Sequence, residues 1–149
     1  MSNNSVILHR IFTANPEKIY RAFTQPNALI SWIPPNGFIA SIDEMNVKVG
    51  GSFKMSFINF TTEKINSFGG KYLELKKNEF LRYTDKFDNP ELKGEIITSV
   101  WLKKVSCGTE IKIIQEGIPE VIPIEMCYLG WQESLEKLKK LVETEILDK

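Results

Sequence analysis

Cysteine and histidine are scarce in this chain and neither charge is in excess, and each scarcity closes off a class of function. Cys107 and Cys127 lie twenty residues apart with no CxxC motif, and His9 is the single histidine. A zinc site or a disulfide framework needs a denser ligand set, so the two cysteines are expected to be reduced, and no metal or other cofactor is expected. Nineteen Lys and Arg residues balance nineteen Asp and Glu residues. Nucleic-acid binding calls for clustered positive charge, whereas these basic residues are interleaved with acids, so no nucleic-acid partner is expected. No apolar run approaches the roughly 20 residues needed to cross a bilayer, and MSNNSVILHR has no basic n-region. The expectation is a cytoplasmic protein that is not embedded in a membrane.

Catalytic signatures are missing too. There is no GxSxG, no HExxH, no GxxxxGK and no GxGxxG after a strand. Acid–base chemistry could be assembled from scattered strand residues such as Glu44, Tyr72, Arg82, Tyr83 or Gln115, but no spacing selects them. His9 alternates with Ile7 and Ile11 in an apolar strand, with no acid or nucleophile at a suggestive spacing, and reads as structural.

What the chain does have is 42% hydrophobic and 11% aromatic residues, the make-up of a globular protein. Its 149 residues fit one domain, 1–149, long enough for a real core. Apolar residues recur at Ile124, Tyr128, Trp131, Leu135, Leu138 and Val142, which is one stripe of a long helix of roughly 24 residues and roughly 36 Å. Pro123 suits its first turn. Glu133 with Lys137 and Glu136 with Lys140 are spaced to pair along the outer face. Trp131 is expected to be the central core contact, with Trp131→Ala costing about 3–5 kcal/mol. Gly130 costs that helix about 1 kcal/mol relative to alanine, and marks close packing of a strand, a gap beside the indole, or both.

The rest of the chain reads in order. Val6 to Thr13 is a first strand whose inward face is ambiguous. Asn15-Pro16-Glu17 opens a short helix, Pro26 ends it and opens another, and Pro34-Pro35 stops the run. From Phe38 onward the period changes to two: Phe38, Ala40 and Ile42, then Phe53, Met55 and Phe57, then Phe68, Gly70 and Tyr72, each set between turn signals. Leu81 and Tyr83 begin a returning strand, and two more strands flank Ser106-Cys107-Gly108. The sum is a strand, two short helices, six strands in hairpins and a long helix. This is an α+β layer, with the helix on the concave face of an antiparallel sheet.

Several of these segments taken together, Asn15-Pro16-Glu17 with Ala22-Phe23-Thr24, Leu29, Trp32, Val49-Gly50-Gly51, Phe68-x-Gly70-x-Tyr72, Gly108-Thr109 and Gly130-Trp131, resemble the START-like (SRPBCC) superfamily. They are most similar to its branch named after the activator of the heat-shock protein 90 ATPase. The chain departs from many relatives at Gln25, a poorer helix cap than aspartate, and at Gln115, where histidine is common. The resemblance implies a helix-grip fold: a curved antiparallel sheet of six or seven strands wrapped on the C-terminal helix, with two short helices between strands 1 and 2 and a hydrophobic cavity inside. The superfamily hosts lipid carriers, hormone sensors, polyketide cyclases and chaperone regulators.

On that fold, Trp32, Phe53, Met55, Phe57, Phe68, Tyr72, Tyr128 and Trp131 converge on the interior, with Gln115 and Tyr72 as the polar groups of a ligand site. The alternative is that these side chains simply fill the core. The expected function is non-catalytic binding of a small hydrophobic molecule of the lipid, sterol-like or aromatic polyketide or phenylpropanoid type, by a monomer or homodimer. The alternatives are a protein-interaction module regulating a chaperone ATPase and a cyclase-like enzyme. A phenylalanine at Gly70 is expected to fill such a cavity and leave the fold intact.

Overall fold

In a computed structural model, residues 4–148 are described. Strand β1 (Val6–Phe12) is followed by helices α1 (Pro16–Thr24) and α2 (Pro26–Trp32). Six strands come next: β2 (Phe38–Met45), β3 (Ser52–Asn59), β4 (Ile65–Lys76), β5 (Phe80–Phe87), β6 (Ile96–Val105) and β7 (Gly108–Glu116). Helix α3 (Ile124–Glu143) closes the order. The seven strands form one antiparallel sheet in the order β1-β7-β6-β5-β4-β3-β2. Helices α1 and α2 therefore carry the chain from one edge of the sheet to the other. This is the expected helix-grip arrangement.

Local chemistry explains the helix boundaries. The Asn15 side chain accepts the Lys18 amide at 2.8 Å, and Pro16 supplies a pre-set first turn. Gln25 ends α1 and opens α2 without any side-chain cap bond. In β1 the ambiguity of facing resolves to Val6, Leu8 and Phe12 inward, with Ile7, His9 and Ile11 exposed. His9 lies on the outside and pairs with Glu110 at 2.7 Å. Register shifts between Ile42 and Glu44 in β2 and between Tyr72 and Glu74 in β4 interrupt the ladder, and bulges of this kind bend a sheet.

Helix α3 begins later than its sequence suggests, because Pro123 is its N-cap in extended conformation. Its 20 residues span about 30 Å. Ser134, Leu135, Leu138 and Val142 are its buried residues, and it lies against β1, α1 and α2. Trp131 is only half-buried, so the central contacts are Leu135 and Leu138 rather than the indole.

The expected ladder of glutamate–lysine pairs on the outer face is replaced by cross-links to other elements. Glu133 accepts the Asn36 amide at 3.1 Å, Glu136 meets Arg10 at 3.1 Å, and Lys137 donates to the Pro34 carbonyl. These tie α3 to the segment that leads into β2 and to β1. At Glu133, Glu136 and Lys137 a tertiary partner outcompetes the i,i+4 spacing, which survives further on in the Lys139–Glu143 pair at 2.7 Å.

Candidate functional site

Met126, Cys127, Gly130, Trp131 and Ser134 of α3 face strands β3 to β5 across open space. Between them lies a cavity of about 490 Å³, within the range of small-molecule sites. Alternation along each strand delivers the wall: Phe53, Met55 and Phe57 from β3, Phe68 and Tyr72 from β4, and Leu81, Tyr83, Asp85 and Phe87 from β5. Phe57 packs edge-on against Phe68 with centroids 4.8 Å apart, and Phe53 meets Tyr72 and Tyr83 at 5.6 and 5.8 Å. Rings locked against one another in this way leave the space open instead of collapsing into it. The facing wall comes from Ile33 and Pro35 and from Met126, Cys127, Gly130, Trp131 and Ser134 of α3. Glu44, Asn66 and Met126 are lining residues that are also exposed, and they mark the rim.

Of the nine residues expected at a ligand site, Phe53, Met55, Phe57, Phe68, Tyr72, Gln115 and Trp131 are brought together around this cavity. Trp32 and Tyr128 are not. Trp32 is fully buried beside the cavity, donating its indole N–H to the Ala22 carbonyl at 2.9 Å and packing edge-on against Phe23. Tyr128 is 42% exposed and does not line the cavity.

The polar groups in the wall are mostly engaged with each other. Trp131 donates to Gln115 at 3.1 Å, and Gln115 in turn donates to Thr98 at 3.2 Å. This chain fixes the indole against the cavity and uses both ends of the Gln115 amide, the group expected to meet a ligand. Ser134 donates to the Ile33 carbonyl at 2.6 Å. Burial pushes the Tyr72 hydroxyl up to about 12, with Tyr20 adding to it. Tyr83 is raised further by burial and by the charge of Asp85, against a hydrogen bond to Thr98.

Asp85 is the exception. Its Oδ1 is closed off from solvent and has no hydrogen-bond partner among the described residues. Burial pushes its carboxyl up to about 7, only partly opposed by the Lys86 backbone N–H. No lysine, arginine or histidine lines the cavity among the described residues. In the sequence an acid near a strand end reads as solvent-facing, although the period-two set Leu81, Tyr83, Asp85 and Phe87 points Asp85 inward.

The two glycines of interest separate clearly. A Cβ on Gly70 would sit 1.9 Å from the Thr84 carbonyl oxygen, so a phenylalanine there breaks the β4–β5 contact and does not merely fill space. At Gly130 a Cβ would meet only Pro35 Cβ, at 3.9 Å, so this glycine marks the gap and no strand packs on it.

The protein CV1439 from Chromobacterium violaceum superposes with a TM-score of 0.95 at 49% identity, over 97% of this chain and all of that one. A protein from Rhodobacter sphaeroides matches at 20% identity with a TM-score of 0.81, over 94% of this chain and 92% of its own. One from Staphylococcus epidermidis matches at 19% with the same score, over 100% and 96%. These last two carry the fold alone. No curated protein matches the chain in sequence. The family model described as activator of Hsp90 ATPase homolog 1-like protein matches residues 13–143, from the end of β1 to the last turn of α3. With its helix-grip fold and this match over most of its length, the chain belongs to the activator of Hsp90 ATPase homolog 1-like family of the START-like superfamily.

Proposed function

We propose that this protein binds a small apolar molecule, without transforming it, in the cavity between α3 and strands β3 to β5. The observation that carries this reading is an open space of about 490 Å³ walled by mutually packed aromatic rings. Apolar surface of this kind gains by excluding water, and the fold commonly holds hydrophobic ligands. Lipid-like chains, sterol-like ring systems and aromatic polyketide or phenylpropanoid compounds all meet the requirement.

Gly130 offers the test. Gly130→Leu projects a side chain into open space and replaces a helix-interior glycine, worth about 1 kcal/mol of helix propensity. The variant is expected to melt no lower than the parent and to lose saturable quenching of Trp131 by apolar compounds. Unchanged binding in Gly130→Leu would place the ligand elsewhere. Native mass spectrometry of the purified protein gives a second readout through any co-purified small molecule. Cys127, in the cavity wall, gives a third. In a Cys107→Ser background its reaction with a thiol reagent should slow when the cavity is occupied.

One observation favours a protein-interaction reading instead: Val121, Met126, Tyr128 and Leu129 are all exposed around the start of α3. On that reading Gly130→Leu leaves the activity untouched, and a polar substitution at Leu129 abolishes it.

A further inference from the structure

We propose that the molecule held in this cavity carries a basic amine, and that the amine is seated on Asp85. The inference deepens the ligand-binding reading and rests on it. Asp85 sits on β5 between the inward-facing Tyr83 and Phe87, opposite Ile96 of β6. It is an acid set among apolar groups, and its Oδ1 is buried without a partner among the described residues. An unpaired buried polar atom costs free energy that a hydrogen-bond donor in the right place recovers.

No donor of the wall is bonded to Oδ1 among the described residues. Gln115 is tied to Trp131 and Thr98, and Ser134 to Ile33. The titratable groups that share the cavity with Asp85 are Tyr83 on β5, Tyr72 on β4, Glu44 at the rim on β2 and Cys127 on α3. None of them can bring positive charge, so a cationic partner for the ionised Asp85 has to enter with the ligand.

A protonated amine answers both needs, with a charge and an N–H directed at Oδ1. An alcohol of the same skeleton offers a neutral and weaker bond. A carboxylic acid brings like charge against Asp85. Burial that lifts the Asp85 carboxyl to about 7 adds a pH signature: the amine, protonated throughout, binds better as pH rises through that value and Asp85 ionises.

The experiment compares decylamine, decanol and decanoic acid by titration calorimetry at pH 8.5, on the wild type and on the isosteric Asp85→Asn. Decylamine is expected to bind about tenfold more tightly than decanol, the difference between a charge-assisted and a neutral bond, with decanoic acid weakest. In Asp85→Asn the amine advantage should vanish while decanol binding persists. The wild type at pH 5.5 should show the same loss, which keeps the test decisive even if the variant misfolds. Decanol binding as well as decylamine, or an amine preference that survives in Asp85→Asn, would overturn the inference and leave the cavity reading standing. No binding of any of the three compounds would overturn both.

Discussion

Replacing Trp32 with alanine is expected to lower the unfolding free energy by about 3–5 kcal/mol, the usual cost of truncating a fully buried aromatic. Its indole does two things at once. The ring is wholly buried at the end of α2 and packs edge-on against Phe23 of α1, 4.8 Å between centroids. Its N–H bonds the Ala22 carbonyl at 2.9 Å. The helical partner of that carbonyl would be the amide of residue 26, which is proline and has none, so Trp32 satisfies the group that the α1–α2 junction orphans. Trp32→Phe, which keeps a ring and loses the donor, should cost less than alanine and still exceed about 1 kcal/mol. By contrast, Trp131→Ala removes a half-buried ring from a wall that already faces open space, and about 1–2 kcal/mol is expected. Urea unfolding of the three variants at constant m-value measures the order. A Trp131→Ala loss as large as that of Trp32→Ala would mean that the cavity is in fact filled.

The two tryptophans show how far the sequence could be read. Periodicity of two along Phe53, Met55 and Phe57 and along Phe68 and Tyr72 reports which residues share a face, and in a curved sheet the shared face is the inside. Strand order, hairpins and the terminal helix follow from the same pattern and from turn residues. Periodicity does not report what stands opposite a face. Tyr128, Trp131 and Leu135 lie on one helical stripe, yet the first is exposed, the second half-buried and the third fully buried. That gradient is set by what packs against each turn of α3, a tertiary fact with no local signal. The same limit applies to the glycines. Gly70 and Gly130 both interrupt regular elements, and only the packing tells a backbone collision from an open gap. Asp85 was illegible for a different reason: an ionisable residue inside a cavity contradicts the pattern rule, and such contradictions concentrate at functional sites.

A pH-dependent loss of stability that disappears in Asp85→Asn is the second large effect expected. Burial raises the Asp85 carboxyl from 3.8 to about 7 in the folded protein. Between those values the native state holds a proton that the unfolded state has released. Stability from this group is therefore fully present below about pH 4, falls as pH rises, and levels off above about pH 7. A shift of about three units corresponds to roughly 4 kcal/mol across that window. Glu110 and Glu143, held below the usual carboxylate range by hydrogen bonds from His9 and Lys139, slope the other way at lower pH. They are present in both proteins and cancel when the variant is compared with its parent. The difference in unfolding free energy, Asp85→Asn minus wild type, should be small near pH 4 and should grow steadily to favour the variant near pH 8. A difference that stays flat across this range would show that Asp85 ionises freely in contact with water, which would also remove the reason for an amine to seek it. If the growing difference is found, decylamine supplies the matching check. Added at saturation near pH 8, it should raise the melting temperature of the wild type more than that of Asp85→Asn, because only the wild type presents a buried carboxylate whose charge the amine compensates.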